Sequence, residues 1–334
     1  MKLAFLGTPL VAAQVLRALV DAGHDVRLVV TRRDARRGRG GQLSASPVKL
    51  AATELGLEVA YDPAAVAGSG ADLGVVVSYG RIIKPELLAL VPMVNLHFSL
   101  LPRWRGAAPV ERAVLAGDRE TGVCVMKLDE GLDTGPLYEC QRVSIGDDER
   151  AEELRWRLGE VGTAMLLRLL SEGFPEPVPQ SGEPTYAAKV GPGELHLDFA
   201  LPSAHLLRVI RVGKAWTTFR GRRLIVHRAR SAPAELLRDA IQGAALRSGL
   251  GGAATKSGQS RGNASARGPA NGLGNGAGGH SARALAPGEL AGEVVGTGDG
   301  GILLLEVQPE GKGRMSASEW LRGARVREGE RLGE

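Results

Sequence analysis

An asparagine and a histidine stand two residues apart at the end of an apolar run, Val94-Asn95-Leu96-His97. On a β-strand that spacing sends both side chains to one face, so an amide N–H and an imidazole can converge on a single atom. Converging donors suit acyl transfer, where the carbonyl oxygen gains negative charge as a tetrahedral intermediate forms. Downstream, Gly131-Leu132-Asp133-Thr134-Gly135 has the composition of a tight turn and can bring one carboxylate to the histidine. Taken singly, His97 reads as a core histidine and Asp133 as a turn former. Their conjunction with the stiff segment Ser99-Leu100-Leu101-Pro102 favours chemistry over packing. No strand-turn-helix elbow surrounds Ser99, so it is not read as a nucleophile.

The elements that must position these residues alternate in type. Apolar runs at 3–6, 26–30, 73–77 and 93–97 predict buried strands, and helical periodicity at 10–22, 48–55 and 84–90 places helices between them. The pattern is that of an open, Rossmann-like, mostly parallel α/β sheet, with His97 at the carboxyl end of a strand, where ligands gather. Residues 109–116 read as a helix, 122–128 and 137–144 as a strand pair whose connection carries Asp133, and 152–170 as a long amphipathic helix. A proline-punctuated extended run, 175–189, follows. Gly7-Thr8-Pro9 lacks the glycine spacing of a dinucleotide fingerprint, which disfavours a nicotinamide cofactor.

These residues resemble the folate-dependent formyltransferases, whose active site combines an Asn and a His on one strand, a Ser-Leu-Leu-Pro segment and a distant Asp. The matching positions are Asn95, His97, Ser99 to Pro102, and Asp133. The resemblance implies catalysis by Asn95, His97 and Asp133, without a metal. It also implies 10-formyltetrahydrofolate as the formyl donor, held by Ser99, Leu100, Leu101 and Pro102. Phe5-Leu6-Gly7-Thr8-Pro9 and Pro102-Arg103-Trp104-Arg105-Gly106-Ala107-Ala108-Pro109 are most similar to the members that formylate initiator methionyl-tRNA. The similarity runs with few gaps from residue 2 to about 210 and returns more weakly at 216–227 and 292–313. Phe98 is a departure, since many relatives have Gly after the histidine, and a ring there is expected to reshape the folate pocket.

With 334 residues, 43% of them hydrophobic, the chain is long enough for two domains. The expected division is a catalytic domain at 1–190, a linker helix at 191–212 and a tRNA-binding domain at 213–334. For the last of these the resemblance implies a small OB-like β-barrel, and its short strands and glycine turns fit that expectation. Residues 241–288 interrupt it: 24 of the 48 are Gly or Ala, with no aromatic and no acid, which predicts a disordered insertion. Residues 1–7 read as a first core strand rather than a signal peptide, and no run approaches the eighteen or so apolar residues of a membrane span. Cys124 and Cys140 are the only cysteines, read as reduced in a cytoplasmic protein. A monomer is expected.

Net charge is +5, permissive for a polyanion. Arg32, Arg33, Arg36, Arg37, Arg39 and Lys49 crowd one glycine-rich segment against the single acid Asp34. Such a run reads by itself either as a solvated loop or as a phosphate-seeking one. The resemblance decides for the second, because relatives carry a basic loop here that reaches the tRNA acceptor end. It implies tRNA contacts by Arg39, Arg36, Arg37, Lys49, Arg103 and Arg105. A sugar-nucleotide formyltransferase would share the Asn-His-Asp set without the basic loop. A glycinamide ribonucleotide formyltransferase would be shorter, and a non-catalytic RNA-binding protein would need none of the three.

Overall fold

The computed structural model describes residues 1–37, 41–249, 285–327 and 329–334. Two compact units divide the chain: Met1–Leu195 with Arg211–Gly213, and His196–Ile210 with Lys214–Glu334.

The first unit opens with β1 (Lys2–Gly7), α1 (Leu10–Asp21) and β2 (Asp25–Val30). A short hairpin, β3 (Ala35–Arg37) and β4 (Gln42–Ser44), leads to α2 (Pro47–Glu54). The Ser46 hydroxyl caps α2 by accepting the Lys49 N–H at 3.0 Å, with Pro47 in the first turn, where its missing N–H has no partner to lose. Next come β5 (Val59–Ala60), β6 (Leu73–Val77), α3 (Pro85–Leu90) and β7 (Met93–His97). The unit is completed by β8 (Arg105–Gly106), α4 (Pro109–Ala116), β9 (Glu120–Lys127), β10 (Leu137–Ser144), α5 (Ala151–Glu172) and β11 (Tyr186–Ala187).

Its main sheet has seven strands in the order β10-β9-β7-β6-β1-β2-β5. The five from β7 to β5 are parallel, and β9 and β10 extend the β7 side antiparallel. Strand alternation sorts the core. Leu3 and Phe5 pack with Val11, Leu16 and Leu158 on one face, while Ala4 and Leu6 pack with Met93 and Leu87 on the other. Along β7, Val94 and Leu96 take the first face, so Asn95 and His97 share the second with Met93. Helix α5 approaches this strand closely because residue 162 is glycine: a Cβ there would sit 2.8 Å from Leu96 Cδ1. Leu96 lies between the two polar residues, so this contact helps fix both.

Cys124 on β9 and Cys140 on β10 oppose each other in register and form a disulfide. This corrects the reading of both as reduced, since a count of two says nothing about pairing and the antiparallel register brings them together.

In the second unit, β12 (Trp216–Phe219), β13 (Arg222–Ser231), β14 (Leu290–Ala291), β15 (Val294–Thr297), β16 (Gly300–Pro309) and β17 (Met315–Ser316) form an antiparallel sheet. Its order is β12-β13-β16-β15-β14, with β17 on β16. The Leu332 N–H donates to Gly288 beside β14, and the Gly333 N–H donates to Thr218 of β12. These bonds draw the two edges together, as a small barrel requires.

Helix α6 (Ser203–Val212), within the expected linker, falls with the second unit as far as Ile210. Ser203 holds Asp299 Oδ1 through its N–H at 2.7 Å and its hydroxyl at 3.0 Å. Helix α7 (Ala234–Gly249) runs past residue 241, where the Gly/Ala-rich composition predicts disorder to begin. Ile241 packs with Leu237 beside Leu285, Val294 and Leu303. Alanine supports helix as readily as it fills low-complexity sequence, so composition alone placed the boundary too early. The Gly288 N–H donates to Gly296 at 2.9 Å, ordering the far end too. The remainder, 250–284, lies outside the described residues. Helix α8 (Ala317–Ala324) is set on this sheet by Trp320, which meets Phe219 edge-on. No helix among the described residues is long and apolar enough to cross a membrane.

Candidate active site

Asn95 and His97 are 9% and 5% exposed at the carboxyl end of β7. Beyond it the chain doubles back, held by the Ser99 hydroxyl donating to the Arg103 carbonyl at 2.5 Å. This return presents the Trp104 carbonyl to His97 Nε2 at 2.9 Å. A carbonyl only accepts, so Nε2 carries the ring proton there. Nδ1 is left facing Asp133 Oδ2 at 3.6 Å.

Asp133 belongs to the connection between β9 and β10, and its φ of +53° is one that Asp tolerates better than most residues. Asp129 builds the turn, its Oδ1 accepting from the Gly131 N–H at 3.1 Å and the Thr134 hydroxyl at 2.7 Å. Gly135 closes it against β9, where a Cβ would lie 1.8 Å from the Lys127 carbonyl oxygen. The Asp133 carboxylate meets both strand residues from this position. Oδ2 accepts the Gly106 N–H at 2.8 Å, and Oδ1 receives Asn95 Nδ2 at 3.5 Å.

The three residues expected to be catalytic therefore share one cavity of about 550 Å³, within the usual range for small-molecule sites. Ile82 and Leu132 line it and are 83% and 57% exposed. Large apolar side chains left open in a cavity wall suit a planar ring system, which would cover them. Arg81, Arg155 and Lys189 add positive charge at the wall, and Glu111, Asp129 and Glu130 add negative charge there. Arg155 is paired with Glu111 at 2.6 Å. Chemically, the site offers an amide donor, an imidazole and a carboxylate around open space, and no metal-holding group occurs among the described residues.

The residues expected to hold the formyl donor are placed differently. Ser99 is fully buried, its hydroxyl engaged by Arg103, while Leu100, Leu101 and Pro102 line a separate depression of about 470 Å³. None of the four lines the cavity of Asn95, His97 and Asp133. They form the loop that leads to the Trp104 carbonyl and Gly106 N–H. Phe98 is 4% exposed, packing into the core with Val110 while touching the cavity.

The expected tRNA contacts separate into two groups. Arg103 makes a forked pair with Asp118 at 2.6 and 3.0 Å, and Arg105 donates twice to Gln180 Oε1 at 2.6 and 3.1 Å. Both guanidiniums have protein acceptors where the sequence suggests phosphates. On the hairpin, Arg36 is exposed, and Arg37 pairs with Gln42 through the backbone. Lys49 contacts Asp34 at 2.8 Å, and that hydrogen bond holds its ammonium above the ordinary lysine range. Arg39 lies outside the described residues. Sequence reasoning missed Trp104 and Gly106, which act through backbone atoms, and Gln180, a lone glutamine in a proline-rich run.

An Asn-His-Asp set at the strand ends of a mostly parallel α/β sheet defines an enzyme of the formyl transferase type. Residues 1–170 match the formyl transferase family model, and residues 273–325 match the formyl transferase C-terminal domain. The methionyl-tRNA formyltransferase of Symbiobacterium thermophilum is 38% identical over 99% of this chain and 95% of its own. That of Thermus thermophilus is 39% identical over 100% of both. The chain belongs to the formyl transferase family, among its methionyl-tRNA formyltransferases. A solved methionyl-tRNA formyltransferase from Clostridium thermocellum shares the fold, with a TM-score of 0.53 and 17% identity over 70% of this chain and 94% of that one. HypX from Aquifex aeolicus, solved with tetrahydrofolic acid, does so with a TM-score of 0.59 and 14% identity over 96% of this chain and 47% of that one.

Proposed function

We propose that the chain transfers the formyl group of 10-formyltetrahydrofolate to the α-amine of initiator methionyl-tRNA, giving formylmethionyl-tRNA for translation initiation in the cytoplasm. The observation that carries this reading is the convergence of Asn95, His97 and Asp133 on one cavity with apolar walls and a mixed-charge rim. The folate supplies a formyl carbon bound to a nitrogen that can leave. An α-amino group has a reference pKa of about 7.7–8.0, and the neighbouring ester lowers it, so much of the nucleophile is neutral without a strong base. The protein's work is positioning and charge stabilisation.

Asn95 Nδ2 donates to the formyl oxygen as it becomes an oxyanion. Trp104 and Asp133 fix the His97 ring plane, leaving Nδ1 as the atom that exchanges protons with the cavity. A C–N bond forms to the amine and the C–N bond to folate breaks, while one proton leaves the new amide nitrogen and one reaches the leaving nitrogen. His97 Nδ1 and the Asp133 carboxylate carry that traffic. The exposed hairpin attracts tRNA phosphates, and one protomer contains the whole Asn-His-Asp set, consistent with a monomer.

The test is single-turnover transfer of labelled formyl to methionyl-tRNA, run beside a sugar-nucleotide amine. Asn95→Ala should slow the tRNA reaction about 100- to 1,000-fold, the usual effect of losing one oxyanion donor. A folded Asn95→Ala protein at near-normal rate, or preference for the sugar amine, would overturn the reading.

A further inference from the structure

Residues 178–187 form a strap across both loops of the active site. Val178 and Leu137 exchange backbone hydrogen bonds at 2.8 Å, just beyond the Asp133 turn. At the other end, the Thr185 carbonyl accepts the Arg105 N–H at 2.8 Å, and the Ala187 carbonyl accepts from Ala107 and Ala108. Between these anchors lies Gln180. Its amide Nε2 donates to the carbonyls of Asp133 and Gly135, each at 2.8 Å. Its Oε1 accepts the forked guanidinium of Arg105 at 2.6 and 3.1 Å. Both amide protons and the amide oxygen are thereby engaged. The next residue after Arg105 is Gly106, whose N–H holds Asp133 Oδ2. The contacts close a ring from Arg105 to Gln180, to the backbone of Asp133, through its side chain to Gly106, and back along one peptide bond.

We infer that Gln180 is a positioning residue for formyl transfer: with Arg105 it sets the direction in which the Asp133 carboxylate faces His97 and Asn95. This rests on the catalytic role proposed for Asp133. The clamp bears on the turn at Asp133 itself, a residue in the left-handed conformation, and holds both its backbone carbonyl and that of Gly135. The Asp133 carboxylate and His97 Nδ1 are already 3.6 Å apart, so a modest rotation of the turn separates them. The same geometry gives Arg105 a task unlike phosphate binding: its charge orients an amide, and its forked shape prevents that amide from flipping.

Gln180→Glu keeps size and the acceptor toward Arg105 but removes the donors to Asp133 and Gly135. Gln180→Met removes both sets of contacts at similar volume, and Arg105→Lys keeps charge but loses the fork. In single-turnover formylation, each should lower kcat 10- to 100-fold, with KM for folate and for tRNA within about threefold and thermal midpoint close to wild type. The pH dependence of kcat should also move, because the Asp133–His97 pair is misaligned. The double variant Gln180→Met with Arg105→Lys should be no slower than the slower single variant, since both open one ring. Asp133→Asn is measured in parallel. If Asp133→Asn is inactive while folded Gln180 variants keep kcat within twofold, the positioning role is wrong and the catalytic reading stands. If Asp133→Asn is also fully active, the catalytic reading fails. A loss in Arg105→Lys confined to tRNA KM and relieved at low salt would make Arg105 a phosphate contact and overturn the clamp.

Discussion

The Asp133 turn and the Arg36 hairpin are both short polar connections at the edges of one α/β unit, and they are held in opposite ways. The turn is braced from several directions: Asp129 within it, Gly106 on its carboxylate and Gln180 on its backbone. Only 13% of the Asp133 side chain is exposed. Among the described residues the hairpin pairs Ala35 with Ser44, Arg36 with Leu43 and Arg37 with Gln42, and Leu43 is 73% exposed. A group that must meet a transition state needs placement to within about half an ångström. A guanidinium that attracts phosphates acts over roughly a Debye length, about 8–10 Å. Bracing is concentrated where distance matters most.

The largest test of this contrast is Asp133→Asn, which keeps the left-handed backbone and every contact to it while removing the charge. Formylation in a single turnover should fall about 10³- to 10⁴-fold, as when the orienting carboxylate of a histidine is neutralised in other enzymes. A loss below tenfold would assign the turn's importance to its backbone instead.

Arg36→Ala should act more mildly and on a different parameter. KM for tRNA should rise about threefold to tenfold and the log–log salt dependence should flatten by about one unit, with kcat unchanged. A matching fall in kcat would show that the hairpin positions the acceptor end as rigidly as the turn positions its carboxylate, and the contrast would break.

The smallest effect sharpens the case that exposed charge contacts contribute little to folding. Glu330 accepts from Arg220 and from the Arg327 N–H, and these hydrogen bonds lower its carboxyl pKa to about 2. A folded value below the unfolded one adds stability that is complete above the unfolded pKa, about 4.5, and is lost as pH falls toward 2. Glu330→Gln should therefore lower the thermal midpoint by only about 1–3 °C at pH 7. The gap from wild type should close between about pH 4.5 and 2. A gap that persists at pH 2 would mean the glutamate acts through packing.

The sequence made the parts that depend on side-chain period legible. Asn95 and His97 share a face because strands alternate, and Asp133 announces itself through the glycines that bracket its turn. Groups that act through the backbone left no trace: nothing in the letters Trp104 or Gly106 shows that the one supplies a carbonyl and the other an N–H. Ser99 was legible as important but not in kind, since a buried hydroxyl that closes a loop and one that meets a ligand look alike in sequence. Arg103 and Arg105 are visible as charges, but the Asp118 and Gln180 that accept their hydrogen bonds lie 15 and 75 residues away.

The match to the N-terminal formyl transferase model ends at residue 170, inside α5, yet the strap across the active-site loops continues to Ala187. As the chain leaves the ribosome, β1 to β10 and α5 emerge before the strap does. Asn95 and His97, at the carboxyl end of β7, are thus made before the residues that brace the Asp133 turn beside them.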